Sequence, residues 1–234
     1  MSRLTLQTDD HTHSDPTTPR ADPGLTVLRC PHPRSGALHR VAVRTMQDVA
    51  GPVYWIDARN TASTYALSDL APTDRVLDQI RIARAFTAYQ HFTLVERVVN
   101  RVTPRTGCIV APNLPSLYCD DDVPDHEAED MFEAVCKALA TLGDNLDLPI
   151  LISTVTERFD EVVSTHATRT IECIETDLGY RFEGEDITTH GYWHGDQWQT
   201  TIPYWVDLLG AVSASPAMMD ACDPASAPTL SVVG

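Results

Sequence analysis

Short apolar runs recur along this chain with amphipathic stretches between them, and few architectures accommodate that alternation. LTVLR (25–29) and VYWID (53–57) are bounded by Pro or Gly and read as buried strands, and IRIARAF (80–86), GCIVAP (107–112) and PILISTV (149–155) follow the same style. Helices are expected between them at 37–50, 89–101 and 125–142. The third is the clearest: Ala128, Met131, Phe132, Val135, Leu139 and Leu142 fall at steps of three and four, one apolar stripe. Asp125 is the expected N-cap, Glu127, Glu129 and Asp130 complement the N-terminal dipole, and Gly143 is the expected stop. Continuous apolar strands alternating with helices predict an α/β fold with a mostly parallel sheet covered on both faces.

Past residue 155 the texture changes. TRTIECIE (168–175), GYRFEGED (179–186) and a Trp-rich stretch to 205 read as antiparallel strands closing one sheet edge, followed by a short helix at 203–211. Residues 1–23 are polar and nearly devoid of apolar side chains, predicting a disordered tail. Residues 213–234 are small and Pro-punctuated, predicting a second flexible tail, so the expected core runs 24–212.

The charge is lopsided: 33 acids, 23 of them Asp, oppose 17 bases, of which only Lys137 is not Arg. A net charge of −16 excludes the ordinary nucleic-acid binder. The Asp-rich surface matches proteins of salt-accumulating cells, such as halophilic archaea, because at about 1 M salt a Debye length near 3 Å screens the self-repulsion. A partner-binding acidic face is the other reading. Neither a membrane span nor a signal-peptide core is visible, so a cytoplasmic chain with no membrane partner is expected. Six cysteines without a CxxC pair read as reduced thiols, Cys108 and Cys173 inside apolar runs. His190, His194 and Asp196 share a turn-rich segment without metal-ligand spacing, and no metal is expected.

Ligands of such folds bind at the carboxyl ends of the strands. After the first strand comes CPHPRSGALHR (30–40), a strand–loop–helix layout comparable with the phosphate-binding form GxxxxGK[ST]. In that register Pro31 takes the first Gly, Gly36 the second, Ala37 the Lys and Leu38 the Ser/Thr, with Arg34 and Ser35 preceding Gly36. Pro31 and Pro33 remove backbone donors, Ala37 brings no ammonium, and Leu38 cannot ligate Mg²⁺.

VYWIDARN (53–60), IRIARAFTAYQH (80–91) and GCIVAP together resemble the second, third and fourth strands of the RecA/RadA recombinase family, over about residues 24–175. The resemblance implies a RecA-like three-layer core with a C-terminal antiparallel extension. Its departures share one direction. The family's water-positioning acid falls on Arg59, and its metal-supporting Asp falls on Ala111. Phosphoryl transfer rests on such parts, so a pseudo-ATPase without a cofactor is expected. The family's DNA-contacting loops fall on 118–125 (YCDDDVPD) and 156–161 (TERFDE), whose carboxylates repel phosphates.

In the family, the third strand helps form the pocket for a neighbour's Phe-x-x-Ala peptide. Ala83, Arg84, Ala85, Phe86 and Tyr89 stand at the matching positions. The two alanines are small either to admit a partner's ring or because a helix packs close. The Trp-rich stretch 191–206 offers either an interface anchor or aromatics that close their own core. The expectation is a non-catalytic paralogue acting through a protein partner such as a RadA-like recombinase, in recombination or repair. A KaiC-like regulator is one alternative. A residual nucleotide site built from Arg34, Arg40 and Arg59 is another.

Overall fold

Strands that are apolar along their whole length need cover on both faces, and the chain supplies it with two layers of helices. A computed structural model describes residues 18–176 and 179–185, and the backbone alone at 187–188, 191–194 and 197–200. In chain order the elements are β1 (Gly24–Arg29), α1 (Ala37–Asp48), β2 (Val53–Ala58), α2 (Thr64–Leu70), α3 (Asp74–Asp78), β3 (Ile80–Ala85), α4 (Ala88–Val99) and β4 (Cys108–Ala111). A 3-10 turn, Leu114–Cys119, leads to α5 (Asp125–Leu146), β5 (Pro149–Thr154), α6 (Asp160–His166), β6 (Arg169–Thr176), β7 (Gly179–Gly184), β8 (Ile187–Thr188), β9 (Gly191–His194) and β10 (Gln197–Thr200).

Eight strands form one sheet in the order β3-β2-β4-β5-β1-β6-β7-β8, and β9 and β10 form a separate hairpin. This is neither the 3-2-1-4-5-6 order of dinucleotide-binding folds nor the 2-1-3-4-5 order of flavodoxin-like ones. Every pairing from β3 across to β6 is parallel, and β7 runs antiparallel to both β6 and β8. The α/β class with helices on both faces and an antiparallel extension is therefore as the sequence predicts.

Side-chain alternation divides the strands between two cores. Leu25, Val27, Ile109 and Ile150 meet Val95 of α4 and Phe132, Val135 and Leu139 of α5. Leu28, Trp55, Val110 and Leu151 meet Val41, Ala42 and Met46 of α1 and Leu67 of α2. Phe132 anchors the first core, its ring 5.3 Å from Tyr118 and 4.4 Å from Phe159. Burial of such a ring contributes about 1.5–3 kcal/mol.

Several expectations need correction. Antiparallel pairing begins only at β7; β6 joins β1 in parallel, because α6 carries the chain back before it starts. β3 is not a buried strand but the sheet's edge, with Ala85 alone fully covered. α5 is capped by Pro124, and Asp125 instead pairs with Arg158 at 2.6 Å. α5 also runs past Gly143 to Leu146 and stops where Asp147 turns left-handed, φ 53°. Gly143 serves close packing: a Cβ there would lie 3.0 Å from Gly24 Cα. Residues 18–23 belong to the folded body, not to the tail: Ala21 is buried and its N–H donates to Thr45 Oγ1, and Asp22 pairs with Arg169 at 2.8 Å. The expected helix 203–211 and tail 213–234 lie outside the described residues, as do residues 1–17. Among the described residues no helix is long and apolar enough to cross a membrane.

Candidate functional site

The β1–α1 junction holds the expected phosphate-loop positions, and its polar groups are already answered by the chain itself. Gly36 is the N-cap of α1, and its N–H donates to the Tyr180 hydroxyl of β7 at 3.0 Å. A Cβ on Gly36 would lie 3.2 Å from that oxygen, so the phenol rests directly on the helix start. The N–H of Ala37 donates to Ser35 Oγ at 3.3 Å. Ala37 and Leu38 are buried in the core beneath α1, presenting nothing to a ligand. Arg40 lies over the Tyr180 ring, 5.9 Å from its centroid. At the end of β1, Arg29 pairs with Asp160 of α6 at 2.6 Å and with Glu172 of β6 at 3.2 Å.

The end of β2 is built around one buried carboxylate. Asp57 is fully covered, and its Oδ1 accepts from the N–H of Thr61 (2.8 Å), the N–H of Ala62 (3.1 Å) and the Thr61 hydroxyl (2.8 Å). Its Oδ2 accepts from Arg84 Nε of β3 at 3.2 Å. These bonds hold the intervening loop in a rare shape, with Arg59 and Asn60 consecutively left-handed at φ 59° and 57°. Such residues cost about 1–3 kcal/mol each and persist where the surroundings over-determine them. Arg59 donates to the Ser116 carbonyl at 3.1 Å and pairs with Asp120. Ser63 N–H donates to His39 Nε2 at 3.1 Å, so the imidazole is neutral; burial lowers its pKa against the opposing pull of Asp57.

Ala111 lies wholly buried in the α4–α5 core, with no route to a metal. The loops matching the family's DNA contacts are fastened to one another, through Arg158 to Asp125, and Asp121 and Asp122 stand exposed between them. The three arginines of the expected nucleotide site are not brought together: Arg40 stacks on Tyr180, Arg59 pairs with Asp120, and Arg34 stands apart. No three His, Cys, Asp or Glu among the described residues group as metal ligands. Cys108 and Cys173 are free and buried as expected, with burial pushing both thiols up to about 12, while Cys222 lies outside the described residues.

The open feature is at β3. Among the described residues nothing pairs with its outer edge, and a groove of about 910 Å³ runs between it and α4. Tyr54, Ile82, Ala83, Leu94 and Val98 give it an apolar floor, Arg81, Arg97 and Arg101 line it, and among the described residues no carboxylate does. Phe86 and Tyr89 stand exposed where β3 gives way to α4, at 62% and 45%, with the Tyr89 hydroxyl donating to Glu127 at 3.0 Å. The two alanines part company. Ala83 lines the groove, whereas Ala85 is fully buried against the start of α4, so it is small for packing and cannot admit a partner's ring.

Sequence reasoning found Ala83, Phe86 and Tyr89 but missed Tyr180 and the groove arginines. Arg97 and Arg101 carry a usable signal, a four-residue step at the end of a predicted helix. Tyr180 carries none, since it acts on Gly36 across 144 residues. Compared with protein families and with curated proteins, the chain has no match.

Proposed function

We propose that the chain is a non-catalytic RecA/RadA-like paralogue that serves a recombinase or related ATPase as an accessory or regulator, docking through the β3–α4 face. The observation that carries this reading is the arginine-lined apolar groove beside an unpaired edge strand. A strand edge offers main-chain hydrogen bonds to an extended peptide, and the adjoining groove takes its side chains. In a chain of charge −16, three arginines without a carboxylate in one groove favour an acidic or carboxyl-bearing segment.

Two further features support the family reading. The segments resembling the second, third and fourth strands of the recombinases are β2, β3 and β4, the second to fourth strands of this chain. The positions where the family holds phosphate, water and metal are occupied by Tyr180, by the Arg59–Asp120 pair and by the buried Ala111.

Ala83→Trp fills the groove from a half-buried position and leaves the core intact; Ala85→Trp would overpack it. Arg97→Glu with Arg101→Glu reverses the groove's charge on an exposed helix face. Either variant should weaken binding to a purified RecA-like ATPase from the same cell by about 100-fold, measured in molar KCl. Binding equal to that of the unaltered chain in both variants overturns the docking face.

A further inference from the structure

A second cavity, separate from the groove, lies between the start of α1 and the loop after β2. It encloses about 580 Å³, within the range of small-ligand sites. Arg34 and Arg84 line it together with Thr61, Ser63, Thr64 and Tyr65, and among the described residues no carboxylate does. That composition runs against the chain as a whole, where acids outnumber bases 33 to 17.

Asp57, beneath the loop, is wholly buried and committed to Thr61, Ala62 and Arg84. It therefore acts as the floor's fastener and leaves the cavity to the arginines. Arg84 spends only Nε on Asp57, and its side chain is 42% exposed, so its terminal amines remain for a ligand. Arg34 is exposed and makes no ion pair among the described residues. The wall opposite is fixed in advance: Asp57 holds the loop from one side and His39 Nε2 takes the Ser63 N–H from the other. Planar guanidinium groups converging on one cavity recognise carboxylates and phosphates, whose oxygens match their donor spacing.

We infer that this cavity binds a small oxyanion, a phosphate monoester or a carboxylate, clamped by Arg34 and Arg84 with the hydroxyls of Ser63 and Thr64 donating to its other oxygens. The inference does not rest on the docking reading: Arg84 belongs to β3, but the cavity uses neither the groove nor the unpaired backbone of that strand. It also replaces the nucleotide site expected from sequence, in which Arg34 would have worked with Arg40 and Arg59.

The test is a nitrogen-15 NMR titration of the full chain with inorganic phosphate and, separately, with succinate at constant ionic strength. Saturable one-to-one shifts of the amides of residues 60–66 are expected with at least one of them. Response to phosphate alone or to succinate alone supports the site and identifies the oxyanion. Arg34→Ala removes an exposed side chain without touching the core and should weaken that binding about tenfold. No saturable shift with either probe, shifts centred elsewhere, or unchanged affinity in Arg34→Ala overturns the inference.

Discussion

The mouth of β1 and the edge at β3 belong to the fifth and first of the six parallel strands counted from β3, and they treat polar groups in opposite ways. At β1 the start of the helix and the strand's own end are answered from within: Gly36 by Tyr180, Ala37 by Ser35, Arg29 by Asp160 and Glu172. At β3 the edge is unpaired among the described residues, and arginines line the groove without a carboxylate among them. An unpaired strand edge is a template on which another chain can pair, whereas internally paired groups need no partner. The difference teaches that the donors of a phosphate loop are spent within the fold at β1, while the groups left open for binding lie toward β2 and β3, joined in the second cavity by Arg34 of the β1–α1 loop.

The largest expected effect comes from removing the fastener at that end. Asp57→Ala strips four hydrogen bonds; water can reach the half-exposed Arg84, but each buried donor left without an acceptor costs about 1–3 kcal/mol. The denaturant midpoint should fall accordingly, whereas Asp22→Ala, whose carboxylate is half-exposed, should cost only about 1 kcal/mol. Equal losses in the two variants would erase the contrast between the two ends.

Legibility in the sequence follows the same division. β1, β2, β4 and β5 were readable because strands deep in a sheet are apolar on both faces, a signal that needs no context. β3 was readable as a strand, but its edge position was obscured by Ile80, Ile82 and the two alanines, although Arg81 and Arg84 already mark exposure. Ala83 and Ala85 share a face and a size; only the path of α4, which starts over Ala85 and flanks Ala83 with Leu94 and Val98, separates their roles. α2, α3 and α6, at seven residues or fewer, are too short for a helical period to register, though Ser63 caps α2 by accepting the Ala66 N–H. The loss of the phosphate site was visible in Pro31, Ala37 and Leu38. What took its place was not, because Tyr180 arrives from a distant strand.

A smaller effect sharpens the β3 side by pH. His91, on the helix that walls the groove, is buried with Nδ1 on the Tyr118 hydroxyl at 2.9 Å and Nε2 without a partner. Burial pushes its pKa down to about 4, against an ordinary value of 6.5. Between those values the unfolded chain binds the proton and the folded one does not, so stability is full above 6.5 and is lost as pH falls toward 4. From pH 7 to 5 the loss should be about 2 kcal/mol beyond that of His91→Gln, whose curve lacks this proton. Superimposable pH–stability curves for the two proteins would show that α4 holds no such buried base.

The smallest effect tests the closed side. Tyr180→Phe keeps the ring under Arg40 and removes the hydroxyl that accepts the Gly36 N–H, a loss of about 1 kcal/mol or less, since the site is half-exposed and water can replace the acceptor. The variant also separates two accounts of the β1 mouth. If Tyr180 plugs a phosphate site that is otherwise sound, freeing the amide should let millimolar ATP raise the melting temperature, because a ligand at 100 times its Kd adds about 2.7 kcal/mol. If the site has been rebuilt, ATP leaves the melting curve of Tyr180→Phe where it was, because Ala37 supplies no ammonium, Leu38 no hydroxyl, and both side chains face the core. The second result is the expected one: one hydroxyl can occupy an amide, but its removal cannot restore the side chains that bind the β- and γ-phosphates.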